Sequence, residues 1–404
     1  MDYRKFGNYC LAGTGEFPQS ATEVEKPFSP LVILTHTDPL WSRSLYPIQH
    51  LGELGQESIE ALLPAPQEQG DLAEFVDAHG ATVLNTAFPK CFETLELFRN
   101  GKKQGFVVTL VGLGDVGGTV LQGLKLLGKE LSRIQIFDPN EKACRRYEIE
   151  LNQVLSPDGE PLPEVTICKE EELFQCDLFL FTASRGVPPL GTGGDVRMLQ
   201  FEANRAMLTH YAKLARKADF KGLFCQISDP VDHLSRVVFL ESNRNEAGEL
   251  DFLGLAPEQV QGFGLGVMAA RARYAAKELG LSQESVRVYG PHGAGLVAAN
   301  APDTYDDASS QAITKATREM NLRVRELGFK PYIAPGLSSA AISILRLIRG
   351  QSHFGAVPVG GVYFGCDNTM TASGPLLYRE SMNPQLFDRV DEAFRDLKGF
   401  SYDR

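Results

Sequence analysis

Phe106-Val-Val-Thr-Leu-Val-Gly-Leu-Gly-Asp-Val-Gly117 is the stretch whose reading decides the fold of this chain. An apolar, β-branched run from Phe106 to Val111 reads as a buried strand that stops at a glycine cluster. A helical pattern follows, with Val120, Leu121, Leu124 and Leu127 at helical spacing. Ile134-Gln135-Ile136-Phe137 is a second strand, ended by Asp138-Pro139-Asn140. Strand, helix and strand in this order predict a parallel sheet with a right-handed crossover. Leu178 to Phe181 and Leu223 to Ile227 repeat the buried-strand pattern, with helices between. In that context Gly112-Leu113-Gly114-Asp115-Val116-Gly117 reads as a dinucleotide-binding loop. Gly112 allows the tight turn, Gly114 lets backbone approach a pyrophosphate, and Gly117 lets the helix pack close to the sheet. The helix N-terminus then supplies amide donors and a positive dipole end. The plainer reading of the same residues is a glycine-rich turn without a ligand. Asp138, at the end of the second strand, would accept hydrogen bonds from ribose hydroxyls and repel a 2′-phosphate, which favours NAD over NADP. It could equally cap the turn before Pro139, and the two roles are compatible.

Outside this unit the sequence sets broader bounds. At 404 residues the chain is too long for one ordinary domain, and two or three are expected. A net charge of −11 argues against nucleic acid or an anionic membrane as partner. No apolar run approaches the roughly 18 to 20 residues of a membrane span, and the opening MDYRKFGNYCLAG lacks a secretory core. The seven cysteines are odd in number and form no C-x-x-C pair. A disulfide framework or metal site is therefore not expected, and a reducing cytoplasm fits.

Residues 1–104 read as a separate N-terminal piece of unknown role. Strands are expected at Leu31–Leu34 and Ala81–Leu84, helical patterns near Glu60–Leu63 and Phe92–Phe98, and a polar linker over Asn100–Gly105. Residues 105–258 form the dinucleotide-binding unit. A third unit, 259–404, starts near the Gly/Pro-containing connection Asp251–Gly262 and ends in an amphipathic helix with Leu386, Val390, Phe394 and Leu397 on one stripe.

Further motifs carry a resemblance. VTLVGLGDVGG resembles the first strand and phosphate loop of the lactate/malate dehydrogenase family. Cys176-Asp-Leu-Phe-Leu-Phe-Thr182-Ala183-Ser184 is similar to that family's fourth strand, which ends Thr-Ala-Gly beside the cofactor. Arg197-Met-Leu-Gln-Phe-Glu-Ala-Asn204 resembles its R-x-D-L-x-x-x-N helix start, and Ile227-Ser-Asp229-Pro-Val-Asp232 its S-N-P-V-D turn. Arg271-Ala-Arg273-Tyr, Gly290-Pro-His292-Gly and Gly336-Leu-Ser338-Ser-Ala resemble A-R-F-R, G-E-H-G and G-Y-T-S-W. The matches run in family order from about residue 106 to about residue 400.

The resemblance implies a doubly wound Rossmann sheet, then an α+β catalytic domain, with the N-terminal piece as a small α/β extension. It implies NAD-linked interconversion of a 2-hydroxy acid and a 2-oxo acid, in a homodimer or homotetramer. His292 would exchange the proton, since imidazole titrates near neutrality. Arg271 would hold the substrate carboxylate through two parallel hydrogen bonds, and Arg197 would polarise the carbonyl. Ser338 would line the pocket or cap the following helix, and Arg185 could reach an acidic substrate group or face solvent. Thr182, Ala183 and Ser184 would lie beside the cofactor.

Two departures stand out. The family's aspartate three residues before the carboxylate-binding arginine is Met268 here, and its turn asparagine is Asp229. The carboxylate that orients the catalytic imidazole would then have moved to Asp229; alternatively, both positions changed after catalysis was lost. A catalytically silent NAD-binding or sensor protein is therefore a rival reading. So is a redox-assisted glycosidase, which would need a metal-binding cysteine and histidine such as Cys225 and His233.

Overall fold

The computed structural model describes residues 2–101, 103–156, 159–184 and 196–402, with residues 196–199 described through their helical backbone. At its centre is a nine-stranded sheet. Six strands run parallel in the spatial order Glu164–Ile167, Leu131–Phe137, Phe106–Val111, Leu178–Phe181, Leu223–Gln226 and Val260–Gly262. This is the doubly wound order, with its topological switch between Phe106–Val111 and Leu178–Phe181, where such sheets bind ligands. Alternation along the strands loads both faces. Leu178 and Leu180 join Val108, Leu110 and Cys225 under the helices Asp115–Leu127 and Glu141–Leu151. Phe179 and Phe181 point the other way, with Phe224, against the helices Val196–Lys217 and Val231–Ser242.

The sheet does not break at residue 258, where the sequence places a boundary. Val260–Gly262 is its sixth parallel strand, and antiparallel His353–Val359, Val362–Thr371 and Gly374–Leu377 continue it. The last helix, Pro384–Lys398, buries Leu386, Val390, Phe394 and Leu397 as its stripe predicts. Leu127 departs from expectation: the helix ends there at Gly128, and Leu127 is 49% exposed. Among the described residues, no helix is long and apolar enough to cross a membrane.

Residues 3–85 form a second, six-stranded sheet. Its parallel centre is Tyr9–Gly13, Leu31–Thr35 and Ala81–Asn85, the last two at the expected places. Near Glu60–Leu63 there is a 3-10 turn, Ile59–Leu62, and Phe92–Phe98 lies within the helix Cys91–Arg99. This unit shares one hydrophobic cluster with its neighbour, in which Leu11, Val32, Leu34, Leu45 and Leu84 join Phe201, Leu208 and Phe239. Polar ties reinforce the seam. The Arg236 guanidinium donates to the Leu40 carbonyl at 2.7 Å, and Thr82 and Ser373 share a hydroxyl contact of 2.6 Å. Fully buried Glu258 accepts from the Ser44 amide at 2.9 Å, from the Ser44 hydroxyl, and from the Leu45 amide at 3.4 Å.

Burial pushes the Glu258 carboxyl up to about 7. The folded protein thus holds a proton that the unfolded chain releases near 4.5, so the contribution of Glu258 to stability declines as pH rises across that window. Glu258→Ala should leave the Ser44 and Leu45 amides buried without their acceptor, costing about 1–3 kcal/mol. Urea unfolding at pH 5 and pH 8 checks both statements: the loss should appear at both, and the variant should lack the part of the slope due to Glu258.

Candidate active site

The glycine loop sits at the switch point. Gly112 has φ +96°, a left-handed conformation, and a Cβ there would come 2.6 Å from the Ala183 amide nitrogen. A Cβ on Gly117 would come 1.9 Å from the Gly112 carbonyl oxygen and 2.6 Å from the Thr182 hydroxyl. Protein atoms therefore fill the space beside the first and third glycines. Around Gly114, by contrast, a Cβ would meet nothing within 4 Å. That open face lies at the N-cap of the helix Asp115–Leu127, so the donors there fit a pyrophosphate.

Asp138 is tied to this loop. Its Oδ2 accepts from the Leu113 amide at 2.7 Å, and its Oδ1 from the Asn140 amide at 2.8 Å. Each carboxylate oxygen keeps acceptor capacity for a ribose hydroxyl, so the turn-capping and ribose-binding roles coexist. The Thr182 hydroxyl lies 3.0 Å from the Val111 carbonyl and 2.7 Å from that of Gly112, which makes it a brace for the loop. The Ala183 carbonyl accepts from the Ser228 hydroxyl at 2.7 Å, and Ser184 is exposed.

Ser228 leads directly to the second half of the site. Asp229 Oδ1 lies 2.8 Å from His292 Nδ1, the reach that the paired substitutions predict. The Asn204 side-chain amide donates to the Asp229 carbonyl at 2.8 Å and so fixes the turn. The His292 side chain is 15% exposed and that of Asp229 48%. Desolvation lowers the imidazole pKa, but the charge and hydrogen bond of Asp229 and the charge of Asp232 raise it, and the net position is above the ordinary value. With Nδ1 held, Nε2 has no hydrogen-bond partner among the described residues and is the nitrogen left to exchange a proton.

Arg271 lies on the helix Leu265–Glu278, half-buried. Desolvation lowers its pKa, the Asp229 charge opposes that shift, and its own charge works against protonation of His292. Its guanidinium makes no hydrogen bond to a described residue, which leaves its donors available. Arg273, by contrast, is exposed on the same helix, 6.0 Å from the Phe354 ring. Met268 is buried among Val286, Val288, Leu296 and Ile313, so apolar packing occupies the position of the family's acid. Ser338 lies inside the π-helical turn Pro335–Ala341, and neither this turn nor the helix Ile342–Ile348 is capped by a side chain. Ser338 therefore caps neither of these elements. Arg185 lies outside the described residues; Arg197 is described only through the backbone of its helix.

Cys225 and His233 are not brought together. Cys225 is fully buried in the apolar cluster beneath the glycine-loop helix. The His233 ring packs on Phe400, and its Nδ1 lies 3.0 Å from the Tyr402 hydroxyl. Among the described residues, no group of three or more His, Cys, Asp and Glu is placed to hold a metal ion.

Three supports escape the sequence reading. Asp232 is buried, accepts from the His292 amide at 3.0 Å, and is pushed up to about 7 by desolvation. It lies within the matched Ser-Asp-Pro-Val-Asp turn, which is the signal that could have found it. Gly264 lies against the imidazole: a Cβ there would come 2.8 Å from His292 Cβ and 2.9 Å from Cγ. The Ser339 hydroxyl accepts from the Val267 amide at 2.9 Å and donates to the Gly264 carbonyl at 2.7 Å, which fixes that contact.

Proton NMR of the His292 ring tests this geometry. The parent should titrate above the ordinary imidazole value, Asp229→Asn should bring the midpoint down, and Gly264→Ala should shift the ring resonances by displacing the imidazole. An unchanged midpoint in Asp229→Asn would contradict the pairing.

The chain is 28% identical to the L-lactate dehydrogenase of Mycoplasma pneumoniae over 189 residues, 46% of this chain and 55% of that one. It is 30% identical to that of Mycoplasma genitalium over 195 residues, 57% of that protein, so each match spans little more than half of these relatives. The match to the L-lactate dehydrogenase of Staphylococcus epidermidis is 25% identical over 322 residues, covering 74% of this chain and 96% of that protein. No family model matches. The solved minor L-lactate dehydrogenase of Enterococcus mundtii shares the fold with a TM-score of 0.60 at 19% identity, over 74% of this chain and 97% of that one. The malate dehydrogenase of Plasmodium falciparum does so with 0.59 at 16%, over 72% and 96%. Over part of its length the chain is similar in sequence to L-lactate dehydrogenases, and it shares the fold of lactate and malate dehydrogenases.

Proposed function

We propose that this protein is an NAD-dependent oxidoreductase that interconverts a small 2-hydroxy acid and its 2-oxo acid. The observation that carries this reading is the imidazole of His292, held at Nδ1 by Asp229 and set near Arg271. The open glycine loop and Asp138 suit a dinucleotide, which when bound supplies or accepts the hydride. The chain's own groups do the rest. Arg271 binds the substrate carboxylate and orients the reacting carbon. In the reductive direction His292 Nε2 delivers its proton to the carbonyl oxygen as the hydride arrives at carbon; in the oxidative direction it takes the hydroxyl proton. Asp229 holds the imidazole in the tautomer that leaves Nε2 active and stabilises its cation. Arg197 is assigned to polarise the carbonyl, Ser338 and Arg185 to the substrate pocket, and Thr182, Ala183 and Ser184 to the wall beside the dinucleotide. Residues 105–258 form the dinucleotide unit and 259–404 the substrate unit, with a site where they meet. Homodimers or homotetramers and a cytoplasmic location belong to the same reading.

A panel of 2-oxo acids, assayed by NADH consumption, tests the activity, and titration with NADH and NADPH tests the cofactor. Tighter NADH binding is expected, with Asp138→Ala narrowing the difference. NADH binding without turnover of any 2-oxo acid would point instead to a silent dinucleotide-binding protein. Arg271→Lys should lose the two-point contact and cost about 1.5–3 kcal/mol in kcat/KM, with NADH affinity unchanged. Because the reductive step needs protonated His292, its rate should fall as pH rises through the imidazole pKa. Asp229→Asn should move that fall to lower pH.

A further inference from the structure

Asp115 places a carboxylate in the first turn of the helix whose N-terminus faces the open side of Gly114. An acid there suits the helix dipole, but it also sets a negative charge where the proposed dinucleotide would bring two more. Lys330, 215 residues away along the chain, meets it: Nζ lies 2.8 Å from Asp115 Oδ2. The segment that carries Lys330 leaves the helix Asp307–Glu326 and packs back onto the glycine-loop helix. There a Cβ on Gly336 would come 2.7 Å from Thr119 Cβ and 3.2 Å from the Val116 carbonyl oxygen. The lysine is thus anchored within six residues of its own position, beside the loop. The Lys330 side chain is 77% exposed and that of Asp115 49%, so the pair contributes little to holding the fold. Its consequence is electrostatic, at the mouth of the site.

We propose that Lys330 is a cofactor-positioning residue: it cancels the Asp115 charge and keeps the helix N-terminus receptive to a pyrophosphate. This inference rests on the dinucleotide reading above. It deepens that reading by naming the cation that makes an acidic phosphate loop workable, and it assigns no contact between Lys330 and the reacting atoms.

The test is a double-mutant cycle read by NADH fluorescence titration on the full chain: parent, Lys330→Met, Asp115→Asn and the double variant. Both side chains are exposed, and thermal melting confirms that each variant folds. Lys330→Met should raise the NADH Kd about threefold to tenfold at low salt, with the loss shrinking at about 0.5 M salt. Adding Asp115→Asn should return the Kd to near that of the parent. Parent-like binding by Lys330→Met overturns the proposal. So does a double variant as weak as Lys330→Met, because the lysine would then act on the ligand directly. If the parent binds neither NADH nor NADPH, the dinucleotide reading itself falls, and this inference with it.

Discussion

The candidate site depends on backbone brought to within van der Waals contact of backbone at the carboxyl ends of the central strands. Gly112 lies against the Ala183 amide, and Gly117 against the Gly112 carbonyl and the Thr182 hydroxyl. Interiors packed at crystal-like density transmit such contacts rather than absorbing them. The strand Leu178–Phe181 therefore fixes the glycine loop, and Ser228, bonded to the Ala183 carbonyl, fixes the turn of Asp229 by the same means. One sheet edge thus sets the distance between the place for a dinucleotide and the imidazole of His292.

Around that imidazole the charges are distributed unevenly. Asp229 is partly in water and bonds the ring; Asp232 is buried and bonds the backbone of the same residue; Arg271 stands near Asp229 and the ring. A carboxylate in water stays ionised easily, whereas a buried one tends to take up a proton. Asp232, pushed up to about 7 by burial, therefore gives His292 a neighbour whose charge depends on pH. Met268, packed among aliphatic side chains, adds no charge. The carboxylate against the imidazole is supplied by Asp229 alone of these positions.

Much of this was legible in the residues, for identifiable reasons. Strands buried on both faces read as unbroken apolar runs, so Phe106–Val111 and Leu178–Phe181 stand out. Loops whose glycines are forced by close approach leave a fixed spacing, as at Gly112 and Gly117. The reach of Asp229 to His292 followed from two substitutions considered together. What escaped detection has no local signature. The strand Val260–Gly262 is three residues long. Gly264 owes its identity to an imidazole that arrives 28 residues later, and Lys330 meets Asp115 only through the packing of a distant segment. The N-terminal piece reads as separate because nothing within it announces that its apolar face is completed by Phe201 and Phe239.

The tie between Ser44 and Glu258 joins positions 214 residues apart. During synthesis at roughly 5–20 residues per second, the N-terminal strands leave the ribosome well before the segment that supplies this acceptor. For that interval the nascent chain presents an incomplete apolar face to its surroundings, the condition that invites self-association and chaperone capture. High yield of the native protein should then depend on translation rate and holdase supply, even though the finished molecule keeps no trace of the exposed stage.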